Sequence, residues 1–441
     1  MEVTVTLRLE VAPTADLDEV EQALVLAARQ AMSEALQATV RAVEEHTGCP
    51  ACGQHDRRWI GTSQRVVLVS WGRVRLRLRR VCCRGCQQRY RPAVGLLTPL
   101  AGSNTSARLR AACVWAGSGW PFATAARMLA ELLGATVSAE QIRQLVLADG
   151  RQEALLQQAA AQAVVAPSAT DLRAQHAAAT VRTRHGSRPV PLPAPPAQLL
   201  VGMDGGWVPS REQAGGMEGK VGVVATERVP IGDGRHCLRP RRYVATFQPA
   251  AELGDQLYAA ADAVGGTRSP CQVVLGDGAE WIKHQAARHF PEATPILDWP
   301  HVWRVVERAI RTACPGAANR ERRRALYQAL GDDLWGGKVA AVTTALRELA
   351  GPDGATGALA EALTYLETQQ DWLGDYAAWQ AAGYPVGSGL VERAVAVVIN
   401  WRMKDRGMRW TRAMADGLVA LRVARINKDW EQAMAALPTA A

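Results

Sequence analysis

The sequence predicts an α/β protein of several domains, and three observations carry that expectation. From residue 199 onward, short apolar strand-like runs alternate with helical patterns. Upstream, a basic hairpin pattern bracketed by cysteines is followed by a run of short helical patterns. Between the two lies Pro189-Val-Pro-Leu-Pro-Ala-Pro-Pro196, whose five prolines in eight residues can join neither a packed sheet nor a helix and therefore mark an extended spacer. The 441 residues suffice for about two to four cores. With 48% hydrophobic and 21% charged residues, most of the chain should be globular.

The net charge of +9 favours an anionic partner, and its distribution is more telling than its total. Residues 1–48 carry nine acids against three bases, whereas residues 49–110 carry thirteen arginines against one acid. The positive charge thus gathers beside the cysteine pairs, as expected of nucleic-acid binding. Nine cysteines, four of them scattered singly (Cys113, Cys237, Cys271, Cys314), argue against a disulfide framework and for a reducing cytoplasm. The N-terminus lacks the basic stretch of a signal peptide, and no apolar run reaches membrane-spanning length, so no membrane partner is expected.

Residues 2–11 alternate apolar and polar side chains and read as a strand; residues 17–46 form one long, acidic, Ala-rich helical pattern. Cys49-Pro-Ala-Cys52 and Cys83-Arg-Gly-Cys86 can supply four thiolates to a structural Zn²⁺, although Cys82 beside Cys83 leaves open which of the two is the ligand. The intervening length exceeds the usual ~15–20 residues. A hairpin over Arg65–Ser70 and Arg73–Val81, turning at Trp71-Gly72, accommodates the excess and makes the module zinc-ribbon-like. In its second strand Arg73, Arg75, Arg77 and Arg79 alternate with Val74, Leu76 and Leu78, placing four guanidiniums on one face. Phosphate contacts explain such a face better than solvation alone. Three short helices follow at about 106–116, 121–133 and 138–148. They fit either a helix-turn-helix unit or an ordinary small bundle. Residues 151–188 continue as a helix and a polar Ala-rich connector.

Beyond the spacer, strands are expected near 199–204, 220–227, 241–248, 272–276 and 294–297, with helices at 250–263 and 299–312. Residues 320–381 look wholly helical, with Trp372, Tyr376 and Trp379 as a core stripe, and a long helix closes near 404. Asp204 ends the first strand between Gly202 and Gly205-Gly206, Asp277 ends the fourth, and Glu392 follows Gly387-Ser-Gly389. A buried carboxylate is costly unless paired or metal-bound, and the glycines admit a close neighbour, a backbone or a phosphate. Acids beside glycine also cap helices and build turns. The order of strands and helices matches a ribonuclease-H-like domain, in which carboxylates hold two Mg²⁺ ions for phosphodiester chemistry.

Taken together, Val-Gly-Met-Asp204-Gly-Gly, Leu-Gly-Asp277-Gly-Ala-Glu-Trp-Ile, Asp298-Trp-Pro-His301, Pro385-Val-Gly-Ser-Gly-Leu-Val-Glu392 and Arg402-Met-Lys-Asp-Arg-Gly-Met-Arg-Trp410 resemble the catalytic motifs of bacterial DDE transposases. The chain is most similar to the ISKra insertion-sequence group, itself distantly similar to Mutator-like elements, over roughly residues 80–425. The resemblance implies a catalytic triad Asp204, Asp277 and Glu392 that holds two Mg²⁺ (Mn²⁺ substituting), and a helical insertion before the last acid. Asp298 is equally well read as a helix N-cap with Pro300 behind it; His301 is the stronger catalytic candidate of that pair. Arg393, Arg402, Lys404, Arg406 and Arg409 form a basic tract suited to DNA ends, alongside Arg73, Arg75, Arg77 and Arg79.

The expected organisation is an N-terminal strand and acidic helix (1–48), a zinc-ribbon-like module (49–98), a helical DNA-binding domain (99–155) and a helix with Pro-rich linker (156–198). The ribonuclease-H-like domain then comes in two parts, 199–312 and 386–441, around a helical insertion at 313–385. The function implied is a cytoplasmic, nucleoid-associated transposase that binds element ends and target as double-stranded DNA, and works as a homodimer or larger synaptic oligomer. Two rival readings remain: a catalytically silent regulator descended from a transposase, and a nuclease of the same fold without strand transfer.

Overall fold

A computed structural model describes residues 2–100, 103–166, 180–183, 186–189, 193–232, 235–352, 354–404 and 407–437. The fold is mixed α/β, and the chain divides into two compact units, Met1–Asp149 with Glu431–Ala441, and Gly150–Trp430. No helix among the described residues is long and apolar enough to cross a membrane.

The first unit begins with α1 (Leu17–His46), entered through a reciprocal capping box between Asp16 and Glu19. Strands β1 (Arg57–Val69) and β2 (Gly72–Cys83) pair antiparallel along their whole length, and the short β3 (Arg89–Tyr90) joins the end of β2. The hairpin is longer at its open end than the apolar pattern suggests, because the polar residues from Arg57 to Gln64 still satisfy the ladder. One face of it carries Val67, Val69, Val74, Leu76 and Leu78 against Val40 of α1. Where β3 no longer covers β2, α1 does: Gln37 exchanges two hydrogen bonds with the Arg77 backbone, and the buried Glu44 carboxylate accepts the Arg79 N–H. Side chains thus satisfy an edge that would otherwise invite another strand. Residues 2–11 form no strand, contrary to their alternation; they have no ladder partner, and period-2 polarity does not supply one.

Helices α2 (Ala107–Gly119), α3 (Phe122–Leu133) and α4 (Ala139–Val165) follow. Gly134 closes α3 in the left-handed conformation (φ 67°), as only glycine does without strain. The Thr105 segment bridges to Leu68 of β1, and Ser106 then caps α2, so the helices are stitched to the hairpin. The expected helical continuation past 151 stops at Val165, and a two-stranded hairpin, β4 (Thr180–Thr183) with β5 (Gly186–Pro189), stands where helix and connector were expected.

In the second unit β6 (Leu199–Val208), β7 (Met217–Gly232) and β8 (Arg235–Thr246) form an antiparallel meander. Helix α5 (Ala250–Ala263) leads to β9 (Gln272–Gly276), which lies parallel to β6, and β10 (Thr294–Leu297) lies parallel to β9, giving the order β10-β9-β6-β7-β8. Helix α6 (Glu280–His289) links the last two strands; too short and polar for its periodicity to stand out, it is absent from the sequence reading. Helix α7 (Trp299–Ala313) starts directly after β10.

Residues 320–381 fold as α8 (Arg320–Trp335), α9 (Val339–Ala350), α10 (Ala358–Thr368) and α11 (Tyr376–Ala381). The three aromatics are core but not one helical stripe: Trp372 sits in a turn before α11 and packs in another cluster, whereas Tyr376 is fully buried edge-on to Trp299 and Trp379, its hydroxyl donating to Leu297 O at 2.9 Å. Helix α12 (Gly389–Val395) runs on through one π turn (Ala396–Asn400) to Met403, and α13 (Arg412–Ile426) follows.

The glycines around Asp204 admit a helix. A Cβ on Gly202 would stand 3.3 Å from Val391 Cβ, and one on Gly206 only 2.8 Å from Val395 Cγ1. Gly202 and Gly206 share one face of β6, so α12 lies directly on the strand with its valines in the space that side chains would fill.

Candidate functional site

Two sites emerge from these elements. The first is thiolate. Among the described residues Cys49, Cys52, Cys83 and Cys86 form the one group of three or more potential metal ligands whose donor atoms all lie within 4.8 Å of one another. The two knuckles are built alike. Cys49 N–H donates to Gln54 O and Gly53 N–H to Cys49 O; Cys83 N–H donates to Gln88 O and Gln87 N–H to Cys83 O. The residue after each second cysteine has positive φ, 74° at Gly53 and 58° at Gln87. Sulfur atoms from opposite knuckles stand 3.5 Å apart (Cys49 to Cys86, Cys52 to Cys83). A tetrahedral Zn²⁺ with ~2.3 Å bonds needs sulfur edges of about 3.8 Å, so the cluster fits that ion after small adjustment.

Cys83 is the member of the cluster. Cys82 turns away, its thiol 3.4 Å from Gln87 O. Burial pushes the Cys49 thiol up, but the N–H groups of Ala51 and Cys52 and the neighbouring thiols bring it down to about 7, while the crowding of the same sulfurs pushes the Cys52 and Cys86 thiols up.

The second site is acidic, and sheet register builds it. Gly202 of β6 lies opposite Leu275 of β9, which lies opposite Ile296 of β10. Two residues further along the chain stand Asp204, still within β6, and Asp277 and Asp298, just past the ends of β9 and β10. Continuing the register aligns these acids from three separate motifs in one row at the carboxyl ends of β9 and β10, where open α/β sheets bind ligands. Asp204 is not at its strand's end: β6 continues to Val208, and only its pairing with β9 stops at Gly202. Asp204 shares the face of Gly202 and Gly206, on which α12 and its exposed Glu392 lie.

Electrostatics links these groups. Burial, with the charges of Asp277 and Glu392, pushes the Asp204 carboxyl up to about 6, against the Gly205 N–H and the charge of His301. The carboxylates are not gathered into a tight cluster; Glu392 Oε1 instead accepts the Ser388 hydroxyl at 2.7 Å. Because the folded value of Asp204 is raised, the protonated form is the stabilised one. That stability is complete below about pH 4 and is lost as pH rises through about 6. Asp204→Asn should therefore gain on the wild type by roughly 1 kcal/mol of unfolding free energy between about pH 5 and about pH 7.5. Denaturant titrations in chelator at both pH values test this; an unchanged difference refutes it.

Asp298 has the most partners. Fully buried, it caps α7 by accepting the His301 N–H at 3.0 Å, and the same oxygen receives His301 Nδ1. Its other oxygen accepts the Ser388 N–H. The capping reading of this residue is what the structure shows, and the same side chain also holds the His301 ring. A hydrogen-bonded line runs His301–Asp298–Ser388–Glu392, joining the last two motifs. Burial alone would raise the Asp298 carboxyl, yet His301 and Ser388 hold it below its ordinary value; the same hydrogen bond raises the His301 imidazole. In its neutral form, with Nδ1–H donating to Asp298, His301 would present Nε2 as acceptor. Asp298→Ala should cost about 3 kcal/mol of stability by leaving His301 and Ser388 unpaired. Asp298→Asn should keep the cap while lowering the His301 pKa, read by imidazole NMR titration; an unmoved titration contradicts the link.

The basic residues divide. Arg73, Arg75, Arg77 and Arg79 all lie on the exposed face of β2, as the alternation requires. Arg393 is exposed and stacks over Trp401 at 4.7 Å; Lys404 and Arg409 are exposed, and Arg406 lies outside the described residues. Arg402 departs from the expectation of a DNA contact. It is 2% exposed, its guanidinium lies 5.1 Å from the Trp410 ring centre and donates to Met408 Sδ, and burial pushes its pKa down to about 9. Ser388 is the residue sequence reasoning missed: it stood inside the quoted Gly-Ser-Gly motif, and while its bond to Glu392 is local, its N–H bond to Asp298 belongs to the tertiary fold. No family model matches the chain, and no curated protein matches it.

Proposed function

We propose that the chain is a DDE-type transposase resembling those of the ISKra insertion sequences, which cuts and joins DNA with two Mg²⁺. The observation that carries the reading is the in-register row of Asp204, Asp277 and Asp298 beside Glu392. An antiparallel meander followed by two parallel strands across helices, in the order β10-β9-β6-β7-β8, supports a ribonuclease-H-like domain. The paired knuckles support a zinc-ribbon-like module.

Asp204, Asp277 and Glu392 would hold the Mg²⁺ ions, or Mn²⁺ in their place: hard carboxylate oxygens suit such cations, and the Asp204 carboxyl, raised by burial and then by the charges of Asp277 and Glu392, is one that a cation would favour. Held by these three carboxylates, such ions would supply Lewis-acid activation of the attacking oxygen and charge stabilisation of the leaving one. Ser388 holds Glu392 ready, and His301, oriented by Asp298, is placed to accept a proton at Nε2 from the attacking water or 3′-hydroxyl. The nucleophile attacks phosphorus directly, so no covalent enzyme intermediate forms. The partner is double-stranded DNA, at the element's ends and in the target. Two ends must be held together, which calls for a homodimer or larger assembly; the exposed Leu17, Leu24, Leu26 and Met32 of α1 favour that helix for the contact. The place of work is the cytoplasm, at the nucleoid.

The test incubates the protein with Mg²⁺, supercoiled plasmid and duplexes from the DNA flanking its gene. Joined products are expected. Cleaved-only products would mean a nuclease, and shifted but unbroken DNA a regulator.

A further inference from the structure

We propose that a groove in the first unit reads DNA sequence, with Asn104, Gln141 and Gln144 as the base-reading side chains and the arginine row of β2 as the phosphate clamp beside it. This rests on the DNA-binding part of the function proposed above and adds where sequence is recognised. The groove is open and holds about 530 Å³. One wall is the hairpin, with Val66, Leu68 and Arg73; the other is the start of α4, with Gln141, Gln144 and Leu145; Asn104 and Thr105 lie between.

The walls form one piece. Leu68 N–H donates to Asn104 O at 2.6 Å, Ser106 N–H to Leu68 O at 2.8 Å, and Gln141 Nε2 to Thr105 Oγ1 at 3.2 Å. Fixed walls hold amide side chains in place before a ligand arrives, which limits the ordering cost of binding.

Charge selects the occupant. Arg73 lines the groove, and Arg75, Arg77 and Arg79 continue along the same exposed face, in register with Val66, Gln64 and Thr62 of β1. Glu140, the acid nearest the groove on α4, is neutralised by Arg143 at 2.6 Å. A row of cations at the two-residue strand spacing suits a phosphate backbone. Side-chain amides beside it suit base edges, since Asn and Gln can bond adenine at two points in the major groove. Gln144 is exposed, and its Nε2 donates to Glu140 Oε1, which orients the amide. B-form DNA admits a helix or a two-stranded ribbon to its wide major groove; duplex RNA hides the equivalent edges in a groove side chains cannot enter.

The experiment selects bound duplexes from a randomised pool with the full chain, then measures affinity by fluorescence anisotropy. The wild type should enrich one sequence containing adenine. Gln144→Ala, Gln141→Ala and Asn104→Ala should each relax one position of it, lowering discrimination there about ten-fold or more. Arg75→Ala and Arg77→Ala should instead weaken all sequences alike and reduce the salt slope by about one each. A wild-type sequence enriched unchanged by all three amide variants overturns the base-reading assignment and leaves the proposed function standing. A wild type that binds no DNA, or binds duplex RNA more tightly, sinks the function along with it. Circular dichroism of each variant excludes misfolding, since the amide side chains lie at the groove surface.

Discussion

Asp204→Asn, Asp277→Asn and Glu392→Gln are each expected to lower strand transfer at least about a thousand-fold while leaving DNA binding intact. The substitutions remove charge and keep shape, so the valines of α12 still meet the glycines of β6. Removing a charge that burial, and then the charges of Asp277 and Glu392, disfavour makes Asp204→Asn more stable near neutral pH, which separates lost chemistry from lost fold. Gel assays of joining beside anisotropy of binding decide the matter. Retained joining in any one variant removes that residue from the metal-binding set. A loss of binding together with joining points to a structural role instead.

Zinc gives the second large effect. Purified protein should carry about one zinc per chain, and Cys83→Ser should lose it, because three thiolates leave the tetrahedron open. Cys82→Ser is the matched control: its sulfur faces Gln87 O, so zinc content should stay at the wild-type level. The knuckles tie the segment before β1 to the end of β2, so loss of metal should release the hairpin's base and lower the first unit's stability by several kcal/mol, of the order seen when structural zinc sites are emptied. Metal analysis of the three proteins, with thermal melts before and after chelation, provides the check. Equal zinc in wild type and Cys83→Ser would sink the site.

Much of the second unit was legible because its signals are local. The apolar runs of β9 and β10 and the pattern of α5 set the observed boundaries without help from tertiary structure. The alternation in β2 likewise fixed which face its arginines occupy. What escaped depends on contacts distant in sequence. Residues 2–11 alternate as well as β2 does but lack a partner strand. Arg402 looks like any solvated base until Trp410 folds against it. The row formed by Asp204, Asp277 and Asp298 rests on strand register, which no spacing along the chain encodes. The glycines near Asp204 marked a close approach correctly, and only the structure names the helix that makes it.

One pair of hydrogen bonds bears on how such a chain can change through evolution. Trp299 N–H donates to Val386 O at 2.9 Å, and Asp298 receives the Ser388 N–H, so the chain leaves the sheet and returns to it at a single point. Between these points, Leu334, Leu346 and Leu366 are buried in one core with Val302 and Val306 of α7, so the helices themselves are held in place. The loops that join α8 to α11 can still change length at a cost that grows only slowly, while Glu392 keeps its place.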